Sequence, residues 1–544
     1  MRGDEFFRKI LRKQGVEYVF GIPGREAQSI RLWGDGLRWI LVRNEFSAAI
    51  AAEVFARLKG RPQVAFSTFG PGATNLTTGV ASAFMDRSPL LAVSAQVERK
   101  DCLYGLTHQC LDQVSLMRPL VKFAAQPRRA MDILPAVEQA MAAALAEPRG
   151  ASYLSIPIDV FSSAIPTGRA RRLISAMRPA RSPAASPPGA TAMERVFSAI
   201  ANSRQPIIVA GNEIIRSGAC KELAAFCEKF NIPVLQSLAA KGVLPEAHPL
   251  NFGPVNRYLD GLLGVRAVAG VFQPADLVIL AGHDLAEDVR PELWASCRVL
   301  RLGLGPNPAP RYLKTDFEAV GGLRQILSRL LSPRYRCPPK PPHPFLKILR
   351  ATRRKAAQGK HGPRSRLFPC RIVYAIRQAL GPEGIFVSDV GLHKQYAGLF
   401  SETVMPNTFL CSNGLGTFGF GLAASIGAQL ARPNRRVIAL VGDGGFHSSS
   451  QDLETLARYG LPVVIVVLSD SAFGLIKHYR LRGGWPGGRE LEFSRVDFPK
   501  LAEANGCRGL KVENIAGFPA ALKRALDSRR PALIEVPVSY RHHF

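Results

Sequence analysis

Two short polar segments have the residue types and the spacing for chemistry on a phosphate. Gly442-Asp443-Gly444 follows the apolar run 436–441, and Ser469-Asp470 follows the next apolar run, 463–468. Glycine lets a backbone approach a phosphate closely, and the Asp443 carboxylate is a hard oxygen ligand suited to Mg²⁺. Gly-Asp-Gly alone also occurs in ordinary turns. Its place after one apolar run, with a polar pair after the next, favours a single site for a metal-bound phosphate.

Parallel strands would bring these two segments together. Short runs rich in Val, Ile and Leu alternate with helical patterns, which is typical of parallel strands buried on both faces. The runs lie at 39–42, 63–67, 90–94, 153–158, 206–210, 277–281, 298–302, 385–389, 436–443, 463–468 and 532–538. We therefore predict an α/β protein with three open parallel-sheet domains. Such sheets bind ligands at the carboxyl ends of their strands.

Two segments rich in Pro, Ser and basic residues predict linkers between the domains. The first is RPARSPAASPPG at 178–189, and the second is PRYRCPPKPPHP at 333–344, followed by a basic polar run to Arg366. The predicted domains are residues 1–165, 191–332 and 367–544, and the predicted linkers are residues 166–190 and 333–366.

Basic residues strongly outnumber acidic ones. The 544 residues include 71 Lys and Arg against 42 Asp and Glu, a formal net charge of +29. Basic surfaces attract nucleic acids. However, the sequence has no helix-turn-helix, RNP or zinc-finger pattern. We therefore expect a solvated basic surface that attracts small anionic substrates, rather than a nucleic-acid partner.

The sequence also predicts the compartment. The first residues resemble no secretory signal, and no apolar run reaches the roughly 18–20 residues that span a bilayer. The nine cysteines include no CxxC pair, so we expect them to be reduced core residues. Together these features favour a cytoplasmic protein without a membrane partner.

The segment from Gly442 to Asp470 resembles the cofactor motif of thiamine-diphosphate (ThDP) enzymes, in which Gly-Asp-Gly is followed, after the next strand, by two asparagines. Here Ser469-Asp470 takes the place of the asparagines, and Asp can replace Asn as a metal ligand. The resemblance implies ThDP and Mg²⁺ as cofactors, with Asp443, Asp470 and the Ala472 carbonyl as the Mg²⁺ ligands. The residues that it implies around the diphosphate are Gly442, Gly444, Gly445, Phe446 and His447.

Two further segments resemble cofactor-binding loops of the same family. The loop 388–393 follows a strand, and in similar enzymes its histidine contacts the diphosphate, which makes His393 a candidate. An ordinary surface histidine is the alternative. The segment 414–419 resembles the one that holds the aminopyrimidine ring. It implies that the Gly416 carbonyl accepts from the amino group and that Phe418 supports the bent cofactor.

Glu45 is the candidate for the carboxylate that activates the cofactor. It follows the run 39–42 and opens a helical pattern over 46–58, although the helix dipole alone also favours an acidic residue there. The segments 21–24 and 70–75 are similar to acetolactate synthase-like ThDP enzymes. In that family a glutamate at this position hydrogen-bonds the pyrimidine ring and promotes loss of the thiazolium proton. The family usually has Arg-His-Glu, and Asn44 departs from that pattern.

The same resemblance implies an oligomer. In relatives, the pyrimidine-binding domain of one subunit faces the diphosphate-binding domain of another. We therefore expect a homodimer or homotetramer with active sites at the subunit interface.

Several segments resemble one branch of this family, the carboxyethylarginine synthases of clavulanic acid (antibiotic) biosynthesis. They are 107–112, 215–219, 240–245, 286–291, 442–458 and 496–506. The resemblance implies a transferase that condenses glyceraldehyde 3-phosphate with the α-amine of an amino acid, with L-arginine favoured, through an acryloyl adduct of ThDP.

Five residues are implied to face the substrates. His108 and Gln109 are candidate catalytic residues that handle protons on the adduct. Tyr258 lies at a substrate-facing position, Asp288 could pair with a cationic amino acid, and Lys394 could bind a phosphate. Each also has a structural alternative: a core histidine, a helix-cap aspartate or a solvated lysine. The related enzymes differ at Lys394 and at the residue after it, which leaves the amine substrate open.

Two other functions remain open at this point. One is an acetolactate synthase-like carboligase that acts on pyruvate, against which the middle-domain segments argue. The other is a nucleic-acid-binding protein on a degenerate enzyme scaffold. The presence of Glu45, Asp443 and Asp470 argues against the second.

Overall fold

The structure is a computed structural model that describes most of the chain. The described residues are 1–28, 30–31, 33–103, 108–183, 185–254, 266–287, 291–357, 368–485 and 488–538. In this part of the chain, three sheets of six strands each are flanked by helices, and their strand pairs are parallel. This confirms the predicted fold class of three open parallel-sheet α/β domains.

The N-terminal sheet has the strand order β2-β1-β3-β4-β6-β5. Its strands are β1 (Tyr18–Ile22), β2 (Arg38–Leu41), β3 (Gln63–Ser67), β4 (Leu90–Gln96), β5 (Ala124–Ala125) and β6 (Ala151–Pro157). Its helices are α1 (Gly3–Lys13), α2 (Glu45–Lys59), α3 (Pro71–Met85), α4 (Arg99–Leu103), α5 (Gln113–Met117), α6 (Ile133–Leu145), α7 (Ile158–Ser162) and α8 (Thr167–Ala176). The strands β3, β4 and β6 are buried along their whole length, as continuous apolar runs require.

The central sheet has the order β12-β11-β10-β7-β8-β9. Its strands are β7 (Pro206–Ala210), β8 (Val234–Gln236), β9 (Asn251–Pro254), β10 (Leu277–Ala281), β11 (Arg298–Gly303) and β12 (Phe317–Val320). The described helices around it are α9 (Ala190–Asn202), α10 (Asn212–Arg216), α11 (Cys220–Phe230), α12 (Ala267–Phe272), α13 (Leu323–Leu330) and α14 (Leu346–Ala357).

The C-terminal sheet has the order β14-β13-β15-β16-β18-β17. Its strands are β13 (Ile385–Ser388), β14 (Phe409–Cys411), β15 (Val437–Gly442), β16 (Val464–Ser469), β17 (Arg508–Lys511) and β18 (Ala532–Pro537). Its helices are α15 (Phe368–Leu380), α16 (Leu392–Phe400), α17 (Phe420–Ala431), α18 (Asp443–His447), α19 (Leu453–Arg458), α20 (Gly474–Arg482), α21 (Phe498–Ala504) and α22 (Phe518–Asp527).

Some elements differ from the sequence prediction. The predicted linkers contain the helices α8 and α14, because apolar residues such as Ala170 and Leu349 are buried while basic residues such as Arg171 and Lys347 are exposed. A short helix begins directly at Asp443, before the helix α19 that the turn leads into. The domain boundaries themselves stay a prediction.

The N-terminal and C-terminal domains share one apolar core. Residues of α2 such as Ile50 and Phe55 belong to the same buried cluster as Leu422 of α17. A Cβ on Gly427 would run into the Ala51 carbonyl, so the alanine-rich α2 and the glycine of α17 permit a close approach of two helices. This packing holds the two domains of one chain together.

All nine cysteines are unpaired, as predicted, although only four are buried. None of the helices within the described residues is long and apolar enough to cross a membrane.

Candidate active site

The two polar segments meet at the carboxyl edge of the C-terminal sheet. The strands β15 and β16 pair with Gly442 opposite Leu468. The Asp443 Oδ2 atom accepts hydrogen bonds from the backbone amides of Asp470 at 2.9 Å and Ser471 at 2.6 Å. Ser471 has a left-handed φ of 56°, which turns the chain so that both amides reach one carboxylate. Asp443 therefore ties the two strand ends together.

A cavity of about 270 Å³ lies against this edge. The predicted residues that line it are His393, Gly416, Phe418, Gly442, Asp443, Gly444, Gly445, Asp470 and Ala472. The lining residues Val390, Gly391 and Leu392 belong to the predicted loop 388–393, and the lining residues that the sequence analysis missed are Leu468, Phe473, Gly474, Leu475 and Ile476. The last four directly follow Ala472 and begin α20. Because Asp470 follows a strand at the ligand-binding edge of the sheet, the residues just after it could have been predicted to line the site.

Phe446 does not take the predicted position in the cavity lining. Its side chain is completely buried, and its ring centroid lies 5.4 Å from that of Phe498. The short helix that begins at Asp443 rotates this side chain into the apolar core. The Phe446 side chain therefore does not line the cavity, and the binding of the cofactor by this residue stays a prediction. His447 packs its ring against the same Phe498 at 5.2 Å and is absent from the lining of the cavity.

The cavity concentrates negative charge. Burial and then the neighbouring Asp443 carboxylate raise the pKa of Asp470 from 3.8 to about 7. Burial also raises the pKa of Asp443, against the opposing effect of its three backbone hydrogen bonds. Two carboxyl groups side by side, one buried and one partly buried, oppose each other's ionisation. A cation between them would relieve both costs.

His393 lines the cavity, and Asp389, four residues before it, lies in the core behind the cavity wall. Asp389 is completely buried, and its carboxylate accepts from the amides of Val390 at 2.7 Å and Gly419 at 3.1 Å. Burial raises the pKa of Asp389 to about 7. Burial lowers the pKa of His393 to about 4, although a hydrogen bond to the Asp389 backbone opposes the change. The imidazole is therefore neutral at pH 7, and its Nε2 atom is buried without a hydrogen-bond partner in the described structure.

These groups fit a diphosphate bound through Mg²⁺. His393 lines the cavity together with carboxylates and backbone groups, and its buried Nε2 atom has no hydrogen-bond partner in the described structure. A Cβ on Gly444 would lie 2.8 Å from the Phe473 ring, so the absence of a side chain there keeps the cradle open. The Ala472 carbonyl already accepts from the Gly474 amide at 2.9 Å, which leaves one lone pair for a metal. Within the described residues, no three His, Cys, Asp or Glu side chains cluster as a metal site.

Glu45 lies at the start of α2 and is 6% exposed. Asn75 Nδ2 donates to Glu45 Oε2 at 3.1 Å. The departure from the family pattern, Asn44, is the N-cap of α2, and its side chain accepts from the Phe46 amide at 2.8 Å. The residues that line the cavity belong to the C-terminal domain, and Glu45 is absent from them.

Among the five predicted substrate-facing residues, the three that the structure describes do not line the cavity. His108 is exposed and Gln109 is half-buried with a left-handed φ of 61°. Tyr258 and Asp288 lie outside the described residues. Lys394 is buried, with 7% exposure, and its Nζ atom donates to the Ser412 carbonyl at 2.6 Å. In the structure its ammonium group therefore binds a backbone carbonyl.

Comparison with known proteins places this architecture in a family. Residues 1–116 match the N-terminal TPP binding domain of thiamine pyrophosphate enzymes, 193–330 match the central domain, and 389–536 match the C-terminal TPP binding domain. A probable acetolactate synthase large subunit of Methanocaldococcus jannaschii is 30% identical over 552 residues, 99% of this chain and 92% of the relative. The chain belongs to the thiamine pyrophosphate enzyme family. It is therefore a ThDP-dependent enzyme, as the cofactor motif predicts.

Other relatives are also named as acetolactate synthases or their large subunits. An acetolactate synthase of Bacillus subtilis is 28% identical over 549 residues, which cover 99% of this chain and 93% of that protein. An acetolactate synthase large subunit of Lactococcus lactis is 29% identical over 555 residues, with 99% and 93% coverage. These names agree with the alternative function of the sequence analysis. They give no support to the carboxyethylarginine synthase reaction.

Proposed function

We propose that the enzyme binds ThDP and Mg²⁺ in the cavity of the C-terminal domain and catalyses an acetolactate synthase-like carboligation with pyruvate as the donor. The observation that carries the proposal is that this cavity occurs in a chain that aligns over 99% of its length with proteins named acetolactate synthase. Pyruvate is an anion, which suits the net charge of +29.

Each side of the cavity has a separate task in this proposal. Asp443, Asp470 and the Ala472 carbonyl hold Mg²⁺, an ion that prefers oxygen ligands, and His393 faces the diphosphate. The Gly416 carbonyl receives the amino group of the pyrimidine ring. When bound, ThDP supplies a thiazolium carbon that can attack a carbonyl group. The exposed Phe418 ring, 6.2 Å from that of Phe473, gives the mouth of the cavity an apolar wall that excludes water from the reacting atoms.

Glu45 completes the site from a second subunit in this proposal. Glu45 is not among the residues that line the cavity, and the mouth of the cavity exposes 53% of Phe418, 43% of Phe473 and 49% of Ile476. Apolar surface next to a binding site favours a covering partner. A second copy of the chain would cover this surface with its N-terminal domain and place Glu45 against the pyrimidine ring, where the carboxylate holds a proton.

Complementation between two inactive variants tests this arrangement. Glu45→Gln and Asp443→Ala each inactivate one half of the site, and mixed subunits restore one intact site in each heterodimer. After unfolding and refolding an equal mixture, we expect about one quarter of the wild-type activity, since half of the symmetric dimers are mixed and each has one good site. The separately refolded variants are the controls. No recovery in the mixture would contradict an active site shared between subunits.

The donor is tested with the purified enzyme, ThDP and Mg²⁺. Pyruvate alone should give acetolactate and carbon dioxide, detected by mass spectrometry, and omission of ThDP should abolish both products. The Glu45→Gln enzyme is the matched control, because it keeps the cavity. Failure to consume pyruvate while ThDP binds would refute the reaction but not the cofactor site.

The carboxyethylarginine synthase-like reaction is a second candidate. The segments 107–112, 215–219 and 240–245 favour it, because they resemble that branch outside the general cofactor motif. Within 240–245, however, Lys241 is buried and donates to the Gly398 carbonyl at 2.8 Å, so part of the resemblance lies in domain packing. Release of inorganic phosphate from glyceraldehyde 3-phosphate, dependent on both ThDP and L-arginine, would favour this candidate over carboligation of pyruvate.

A further inference from the structure

The loop between β14 and α17 forms one wall of the cofactor cavity. It contributes Gly416 and Phe418 to the lining, the two residues proposed to hold the aminopyrimidine ring. Gly416 has a left-handed φ of 71° and donates its amide to Ser412 Oγ at 3.2 Å. The place of the Gly416 carbonyl therefore depends on where the preceding residues of the loop are held.

Cationic side chains hold the two carbonyl groups at the start of this loop. Arg57 of α2 donates to the Cys411 carbonyl at 3.5 Å, and Lys394 of α16 donates to the Ser412 carbonyl at 2.6 Å. Arg57 comes from the N-terminal domain, and Lys394 comes from the helix that carries His393. Hydrogen bonds from charged donors are shorter and stronger than neutral ones. The Lys394 bond is of this kind, and the longer Arg57 contact restrains the loop from the other side.

One carboxylate holds the next two backbone amides. Asp86 Oδ1 accepts from Asn413 at 2.9 Å and from Gly414 at 2.8 Å. Asp86 is the C-cap of α3 in the N-terminal domain, and its side chain is 4% exposed. A Cβ on Gly414 would lie 2.5 Å from the Met85 carbonyl, so the loop is pressed directly against the end of α3.

Neighbouring side chains stabilise the buried carboxylate of Asp86. Arg57 lies 3.7 Å from Asp86 Oδ2 and 3.6 Å from the buried Glu53, and it also donates to Ser88 Oγ at 3.2 Å. A buried carboxylate is tolerated when a cation and hydrogen bonds compensate it. The same arginine thus supports both Asp86 and the Cys411 carbonyl.

We infer that Asp86 is a positioning residue for the aminopyrimidine end of the cofactor site. It acts through the backbone of Asn413 and Gly414 and does not touch the cofactor. The inference rests on the proposed cofactor site. It adds that the N-terminal domain of the same chain determines the position of Gly416 in that site. Lys394 acts on the same loop from the opposite side.

A purely structural role would make a different prediction. If Asp86 only stabilised the fold, its loss would weaken all ligands of the cavity alike. If it positions the loop, its loss should weaken only ligands that reach Gly416. Inorganic pyrophosphate with Mg²⁺ occupies the metal and diphosphate half alone, whereas ThDP with Mg²⁺ extends to the loop. The ratio of the two affinities therefore separates the two roles.

The experiment compares Asp86→Ala with wild type by isothermal titration calorimetry. We expect the Kd of ThDP to rise by about tenfold or more, a typical effect of losing a residue that orients a binding group, while the Kd of pyrophosphate stays unchanged. Asp276→Ala is the matched control, since Asp276 accepts from the Arg204 and Gln205 amides in the central domain. The control should change neither Kd.

Equal changes in both affinities, or no change in either, would overturn the inference. If Asp86→Ala does not fold, Gly414→Ala displaces the same loop from Met85 with Asp86 intact and should produce the same selective loss of ThDP. Absence of that loss would also overturn it. Wild-type enzyme that binds neither pyrophosphate nor ThDP in the presence of Mg²⁺ would instead refute the proposed cofactor site, independently of the variants.

Discussion

Asp470 provides a sharp test of the electrostatics of the cavity. Its pKa is raised from 3.8 to about 7 by burial and by Asp443. Near neutral pH, the folded protein without metal therefore holds a proton that the unfolded chain has released. The substitution Asp470→Asn removes this titration and leaves an amide oxygen in place, which is the ligand that ThDP enzymes usually have at this position.

The sign and size of the effect follow from linkage. The pKa of Asp470 is higher in the folded state, so the folded protein holds this proton more tightly than the unfolded chain does. Protonated Asp470 therefore favours the folded state fully at a pH below its unfolded pKa, and this contribution is lost as the pH rises through about 7. One pKa unit corresponds to about 1.36 kcal/mol, so the whole difference corresponds to about 4 kcal/mol. Between pH 5 and pH 8, this residue should lower the unfolding free energy of the metal-free protein by about 2–3 kcal/mol.

Urea unfolding of the metal-free protein, measured from pH 5 to pH 8 with a chelator present, checks the prediction. Wild type should lose about 2–3 kcal/mol more than Asp470→Asn over this range. Asp527→Asn is the control, because Asp527 is exposed, pairs with Lys523 and has a lowered pKa. Its pH profile should match that of wild type. Parallel profiles for wild type and Asp470→Asn would refute the reasoning.

Three further predictions concern the cofactor and the domain contacts. Glu45→Gln should bind ThDP with near-normal affinity yet lose turnover by ~10²–10⁴, the size of a typical acid–base step; near-wild-type turnover would contradict its role. Asp443→Ala should lose Mg²⁺-dependent ThDP binding in calorimetry because it removes a metal ligand, and unchanged binding would argue against the metal site. Arg216→Met breaks a buried ion pair with Glu147 at 2.8 Å, next to Glu213. It should lower the unfolding free energy by about 3–5 kcal/mol while the Kd of ThDP stays unchanged; an unaltered melting temperature would contradict this.

The sequence by itself determined the features that depend on near neighbours in the chain. The continuous apolar runs predicted the strands, because a strand buried on both faces needs an apolar side chain at nearly every position. The positions of Asp443 and Asp470 after consecutive runs predicted their meeting, since neighbouring parallel strands end at one edge. The structure bears this out with hydrogen bonds between their segments.

Only the tertiary structure decided the features that depend on how distant segments pack. Asp86 and Asn413 lie 327 positions apart, and no local pattern connects a helix end in one domain with a loop in another. The sequence predicted Lys394 as a cation that binds a phosphate, whereas packing buries its side chain against the Ser412 carbonyl. The sequence predicted Phe446 as part of the diphosphate site, but a helix that begins at Asp443 directs its side chain into the core. A side chain's direction and burial follow from the packing of whole elements, which residue type and spacing do not specify.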